Sequence, residues 1–194
     1  MMRFGERLNR TGPGATHANR RLRFIVVLLI GCCIPVSAFA QKATTMIIVR
    51  HAEKDTMQHD PPLNKAGRER ATALARILKD AGIQAIYTTQ YIRTQQTAQP
   101  LADELKLKLQ IIHADADHLT SYVHTVIGRG EREHGGGCVL VVTHSNVIPL
   151  LLEELDTVKD LTLGDEEYDN LFVVTKFSTG TAQLLRLRFG NPAP

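Results

Sequence analysis

The chain has no tryptophan, and its 194 residues include only six phenylalanines and four tyrosines. Aromatics interleaved with a basic stripe, the pattern of a nucleic-acid surface, are missing. Cysteine is scarce too. Two of the three, Cys32 and Cys33, fall in the first forty residues, so residues 41–194 hold only Cys138 and cannot form an internal disulfide. Cys138 stands in an apolar run and reads as a small buried hydrophobe. Histidines His113, His118 and His124 lack an H-x-x-x-H spacing, which gives no support to a zinc site. No internal repeat or low-complexity tract interrupts the chain.

The excess of positive charge is local. Residues 1–40 hold six of the 23 basic residues and one of the 20 acidic ones, leaving 17 against 19 and a net charge of −2. The basic pI therefore reports the leader, and no nucleic-acid partner is expected. That leader has Arg20, Arg21 and Arg23 before the apolar run Phe24 to Val36, then "SAFAQ". A basic region, a short apolar stretch and an A-x-A site predict an exported, periplasmic protein cleaved after Ala40. The run is short for a membrane span. "LIGC", ending at Cys32, is the alternative: a lipoprotein-type leader whose lipid anchor at Cys32 would be the sole membrane contact. Residues 41–194 are expected to form a single domain.

From residue 44, apolar runs alternate with helical patterns. "TMIIVR", "QAIYTT", "KLQIIH" and "CVLVVT" read as strands. Helices are expected over Asn64 to Gly82, over "IRTQQTAQPLADELK" with a bend or interruption near Pro100, over "DHLTSYVHTVIGR", and briefly over "NVIPLLLEEL". "EREHGGG" reads as a solvated turn. "LFVVTKF" and "AQLLRLRF" read as a hairpin around "STGT". The alternation predicts an α/β three-layer sandwich with a mostly parallel central sheet and helices on both faces.

Ligands of such sheets bind beyond the carboxyl ends of the strands. Three polar clusters fall there: "RHAEK" (50–54) after the first strand, Thr88-Thr89-Gln90 with Arg93 after the second, and "THSN" (143–146) after the fourth. Arg50, His51, Arg93 and His144 form a coherent set. A guanidinium matches phosphate oxygens, and a neutral imidazole can attack phosphorus. Two arginines offset the charge that repels a nucleophile, without a metal or cofactor. Taken singly, each residue has an ordinary reading as a solvated or ion-paired strand end.

These motifs resemble the histidine phosphatase superfamily, the phosphoglycerate-mutase-like proteins. "RHAEK" is similar to its signature, "PPLNKAGRERA" to its first loop and helix, "IYTTQYIRTQQTAQPLA" to the segment with its second arginine, and "VLVVTHSNVIPLLL" to the turn with its second histidine. "DEEYDNLFVV" and "LLRLRFG" fit small exported members. The resemblance implies that His51 becomes a phosphohistidine and that Arg50, Arg93 and His144 complete the phosphate pocket. It also implies two in-line displacements, first onto His51 and then onto water.

The chain departs from the family pattern at Ala52, where glycine is usual, at Ser145 and Asn146, where glycines often stand, and at Met57, near a common asparagine. A leaving alkoxide needs a proton, and the family places an acid after the third strand. Asp115 or Asp117 occupies that place, with helix capping as the rival reading of Asp117. Glu53 is read as orienting the nucleophile or contacting substrate, and Asn146 as a substrate contact. Glu166, Glu167 and Asp169 lie in a late loop able to fold over the pocket, and His59 lies near its rim. Arg68, Arg70, Arg76 and Lys79 read as the wet face of the first helix.

The expected activity is metal-independent hydrolysis of phosphomonoesters, with inorganic phosphate as product. The small domain leaves an open pocket, suited to phosphorylated small molecules or to a bulky envelope phospho-sugar or lipid headgroup. Two alternatives stand beside it: a phosphohistidine or phosphoprotein phosphatase, and a phospho-ligand-binding protein without turnover.

Overall fold

The computed structural model describes residues 43–56 and 59–192. The leader assignments, Cys32 and Ala40 included, lie outside the described residues, as does Met57. Six strands form one sheet: β1 (Ala43–Arg50), β2 (Ile83–Thr88), β3 (Leu109–Ile111), β4 (Cys138–Thr143), β5 (Asn170–Phe177) and β6 (Ala182–Arg188). Their order is β3-β2-β4-β1-β5-β6. The first four run parallel, and the β5–β6 hairpin closes one edge antiparallel. Four helices connect them: α1 (Lys65–Leu78), α2 (Ile92–Leu105), α3 (Leu119–His134) and α4 (Ile148–Glu154).

The central strands are apolar on both faces, as a sheet covered twice requires. On one face Ile47, Val49, Leu140 and Val142 pack with Leu74 and Leu78 of α1 and with Ala98 and Leu101 of α2. On the other face Ile48, Val139 and Val141 pack with Val123 and Val126 of α3 and with Leu151 and Leu152 of α4. This is the expected three-layer sandwich. No described helix is long and apolar enough to cross a membrane.

Three local expectations are corrected. Pro100 does not break α2, which runs unbroken through it. Ala98, Leu101 and Ala102 around it are buried in the core, and their packing offsets one missing backbone hydrogen bond. "EREH" is the last turn of α3 rather than a loop. The third strand is only three residues long, because it sits at the sheet edge with one neighbour.

Two features bring α1 to the end of β1. Asn64 caps the helix, its Oδ1 accepting from the Gly67 backbone N–H at 2.9 Å. A Cβ on Gly67 would stand 2.1 Å from the Glu53 carbonyl oxygen, so only glycine lets the helix lie on that backbone. The sheet register then places Arg50 beside Thr143, and Thr88 beside Val142. Three strands end level, and the segments after them share one edge.

Candidate active site

Arg50 and His51 leave β1 buried, at 6% and 4% exposure. The His51 backbone N–H donates to the Thr143 carbonyl at 2.8 Å, tying this end to β4. His51 Nδ1 lies 2.8 Å from the Ala52 carbonyl oxygen. That oxygen only accepts, so Nδ1 carries the proton and Nε2 the lone pair. The Ala52 peptide is held in turn: its N–H donates to Thr97 Oγ1 at 2.9 Å, and Thr97 donates to the Arg93 carbonyl at 2.7 Å.

His144 follows β4 and is bonded through Nε2 to Thr89 Oγ1 at 3.0 Å. Thr89 Oγ1 is 3.0 Å from Thr94 Oγ1, which is 2.8 Å from the Tyr91 carbonyl. With the Thr94 hydroxyl donating to that carbonyl, Thr89 donates to Thr94 and His144 Nε2–H donates to Thr89. Nδ1 is then the unprotonated nitrogen of His144. The His51 and His144 rings meet edge-on, with centroids 5.4 Å apart.

The two arginines are built alike. Arg50 donates through Nη1 to the carbonyls of Gly164 and Asp165, at 3.1 and 2.6 Å, and lies 4.0 Å over the Tyr168 ring. Arg93 donates through Nη1 to Asp60 Oδ1 at 3.2 Å and lies 4.3 Å over Tyr91. Asp60 Oδ2 also accepts from the Ile92 N–H at 3.0 Å, which anchors it to the start of α2. In both arginines Nε and Nη2 have no partner among the described residues. Those two nitrogens form the edge that receives an oxyanion pair.

Burial and positive neighbours keep both histidines neutral. Desolvation is the main cause for each. It lowers His51 to about 3, against the bond to Ala52 and with help from His144, Arg93 and Arg50. It lowers His144 to about 4, with help from Arg93 and Arg50. A neutral imidazole with a free lone pair between two guanidiniums can act as a nucleophile towards an anion. These side chains line a cavity of about 280 Å³, with Asn146 at its wall.

The structure thus brings together Arg50, His51, Arg93, His144 and Asn146. It does not bring Asp115 or Asp117 to the cavity, whose wall there is Ala114 and Ala116. Asp115 is itself a cap: it accepts from the Asp117 N–H and pairs with His118 at 3.2 Å. That bond to His118, chiefly, holds its carboxyl below the usual range, the wrong direction for a general acid. Asp117 is exposed. Glu53 is also reassigned. Its carboxylate takes three short bonds from Arg70, the shortest 2.6 Å, so it is no free substrate ligand. Arg70 leaves the wet face of α1 and is buried, at 5% exposure. Glu167 and Asp169 pair with Arg188, away from the pocket, and His59 is exposed.

Several contributors escaped the sequence reading. Tyr91 and Tyr168 each stack on an arginine and abut a histidine, with centroids 5.2 Å from His144 and 6.0 Å from His51. Thr97 and Asp60 orient the ring or cation beside them, as does Thr89 of the polar cluster after the second strand. Their one signal was proximity to the arginine and histidine motifs.

With this geometry in hand, comparison with known proteins is informative. Residues 46–117 match the model of the histidine phosphatase superfamily, branch 1. No curated protein sequence matches the chain. Among solved structures, mycobacterial glucosyl-3-phosphoglycerate phosphatase is similar at 17% identity and a TM-score of 0.59, over 73% of this chain and 97% of that one. The protein histidine phosphatase SixA is similar at 20% identity and 0.57, over 74% and 96%. Phosphoglycerate mutase from Bacillus anthracis gives 18% and 0.57, over 76% and 93%. The segment 46–117 is thus similar to the histidine phosphatase superfamily, and the chain shares its fold with these phosphatases and this mutase.

Proposed function

We propose that this protein is a phosphatase that hydrolyses phosphomonoesters through a phosphohistidine on His51. The observation that carries the proposal is the pairing of a tautomer-locked His51, Nε2 unprotonated, with two arginines whose Nε and Nη2 are unused. The Nε2 lone pair attacks phosphorus and the ester P–O bond breaks. The departing oxygen takes a proton from solvent in the open cavity. Water then attacks the phosphorus and gives up a proton to solvent, the P–N bond breaks, His51 regains its lone pair and phosphate leaves. Arg50 and Arg93 hold the non-transferring oxygens through both steps. The leader's basic and apolar regions support export to the periplasm, or anchoring through Cys32.

One observation favours a second reading. Among the described residues no carboxylic acid lines the phosphate cavity, so leaving groups that need no acid are preferred, which includes the phosphoramidate of phosphohistidine. A single experiment tests the shared chemistry. The native protein, incubated with an aryl phosphate and quenched in alkali, is expected to carry an alkali-stable, acid-labile phosphoryl group that is missing from His51→Ala. Turnover that survives in His51→Ala sinks the proposal. Phosphate binding without label or turnover points to a binding protein instead.

A further inference from the structure

A second cavity, of about 420 Å³, adjoins the first, and Arg50 and Lys54 belong to the walls of both. Its other walls include Asp165, Glu166 and Tyr168. The half-buried Lys54 ammonium and the Asp165 and Glu166 carboxylates make no ion pair among the described residues. Glu53 also reaches this cavity, but Arg70 neutralises it. The site is built rather than a loose acidic loop. Tyr168 is only 8% exposed, and its hydroxyl has no hydrogen-bond partner among the described residues. Its ring is clamped under Arg50, and Arg50 holds the carbonyls of Gly164 and Asp165. The backbone that carries the exposed Asp165 and Glu166 is thus held by the same residue that frames the phosphate site.

A ligand whose phosphate sits between Arg50 and Arg93 directs its alcohol part past Arg50 into this space. There it meets the Lys54 ammonium at the junction and the Asp165 and Glu166 carboxylates beyond. An alcohol with a carboxylate and an ammonium matches that order of charges. The ammonium has a chemical advantage as well. Placed beta to the ester oxygen, it withdraws electrons and makes the departing alkoxide a better leaving group. That suits a phosphate cavity without a carboxylic acid.

We infer that the second cavity is a leaving-group site for zwitterionic phosphomonoesters, the O-phosphorylated free amino acids, with Lys54 meeting the carboxylate and Asp165 with Glu166 meeting the ammonium. The inference rests on the phosphatase reading. It separates free phosphoamino acids from phosphoproteins, whose peptide-bonded residue carries neither charge.

The test compares kcat/KM for three substrates. O-phospho-L-serine carries both charges, phosphoethanolamine lacks the carboxylate, and 3-phosphoglycerate has a hydroxyl in place of the ammonium. O-phosphoserine is expected to lead each of the others by about fivefold, the upper end for a solvent-open ion pair. Lys54→Met should shrink the lead over phosphoethanolamine, and Glu166→Gln the lead over 3-phosphoglycerate, each leaving the other lead in place. Equal rates for the three substrates, or leads untouched by both substitutions, overturn the inference. An aryl phosphate run alongside keeps the two proposals apart: its turnover with flat ratios removes only the substrate class, whereas no turnover and no phosphoenzyme removes the phosphatase reading as well.

Discussion

Arg70 and Arg50 are buried to the same degree, yet they differ in what their nitrogens do. Arg70 has every nitrogen occupied: Nε and Nη2 on Glu53, Nη1 on the carbonyls of Phe189 and Asn191 at 2.8 and 3.0 Å. It ties α1, the segment after β1 and the chain beyond β6. Arg50, and Arg93 like it, uses Nη1 alone. Burying a guanidinium with unused donors is costly unless a ligand supplies the missing acceptors. The saturated arginine is a clamp, and the two unsaturated ones are a receptor.

The contrast breaks most readily through exchange of methionine for each arginine. Arg50→Met or Arg93→Met is expected to lower kcat/KM for an aryl phosphate by about 10²–10³, with a small change in thermal stability. Arg70→Met should do the reverse in stability, costing about 2–3 kcal/mol because the half-buried Glu53 is left without its partner. Denaturant unfolding reads that loss, and Glu53→Gln in the same chain should recover part of it. If Arg70→Met instead lost activity at full stability, the division into clamp and receptor would be wrong.

Acid sharpens the same division. His51 and His144 are depressed from 6.5 to about 3 and about 4 in the folded protein. The unfolded chain therefore binds more protons below pH 6.5. Stability from keeping these rings neutral is complete above that pH and declines as pH falls through the window from 6.5 to about 3. Melting curves from pH 7 to pH 4 should show the decline, and His51→Gln with His144→Gln should flatten it. Bound phosphate should oppose it, since the anion favours the protonated rings.

A smaller effect is expected at Thr89. Thr89→Val removes the acceptor for His144 Nε2–H at 3.0 Å and should lower kcat about tenfold, with a shifted pH profile as the tautomer is freed. The smallest belongs to the residues corrected out of the site. Asp115→Asn and Asp117→Asn should leave aryl phosphate turnover within about twofold, the range of an exposed substitution. A large loss in either would return the general acid to the third strand.

Much of this was legible from residue order. Apolar runs doubly covered by helices are long and continuous, so β1, β2 and β4 announced themselves, and the residues after them had to share an edge. The cap at Asn64 and the close approach at Gly67 emerged only in the structure. Arg70 was not legible. Its spacing on α1 matches a wet face, and nothing nearby in sequence signals that Glu53, Phe189 and Asn191 converge on it. Asp115 and Asp117 misled for a related reason. A carboxylate after a strand can turn to the cavity or to the next backbone N–H, and the choice depended on His118 and on Ala114 and Ala116 filling the wall. Tyr168 lies 117 positions from His51, where only folding makes them neighbours.

By itself, the sequence determined the alternation of elements, the parallel sheet and the set Arg50, His51, Arg93 and His144, because periodicity and strand-end position are properties of short segments. The tertiary structure decided which nitrogens of those residues remain available, which carboxylates are already neutralised, and where a second cavity opens beside the first. Hydrogen bonds and desolvation depend on atoms brought from distant segments to within a few ångströms, and no local pattern encodes that convergence.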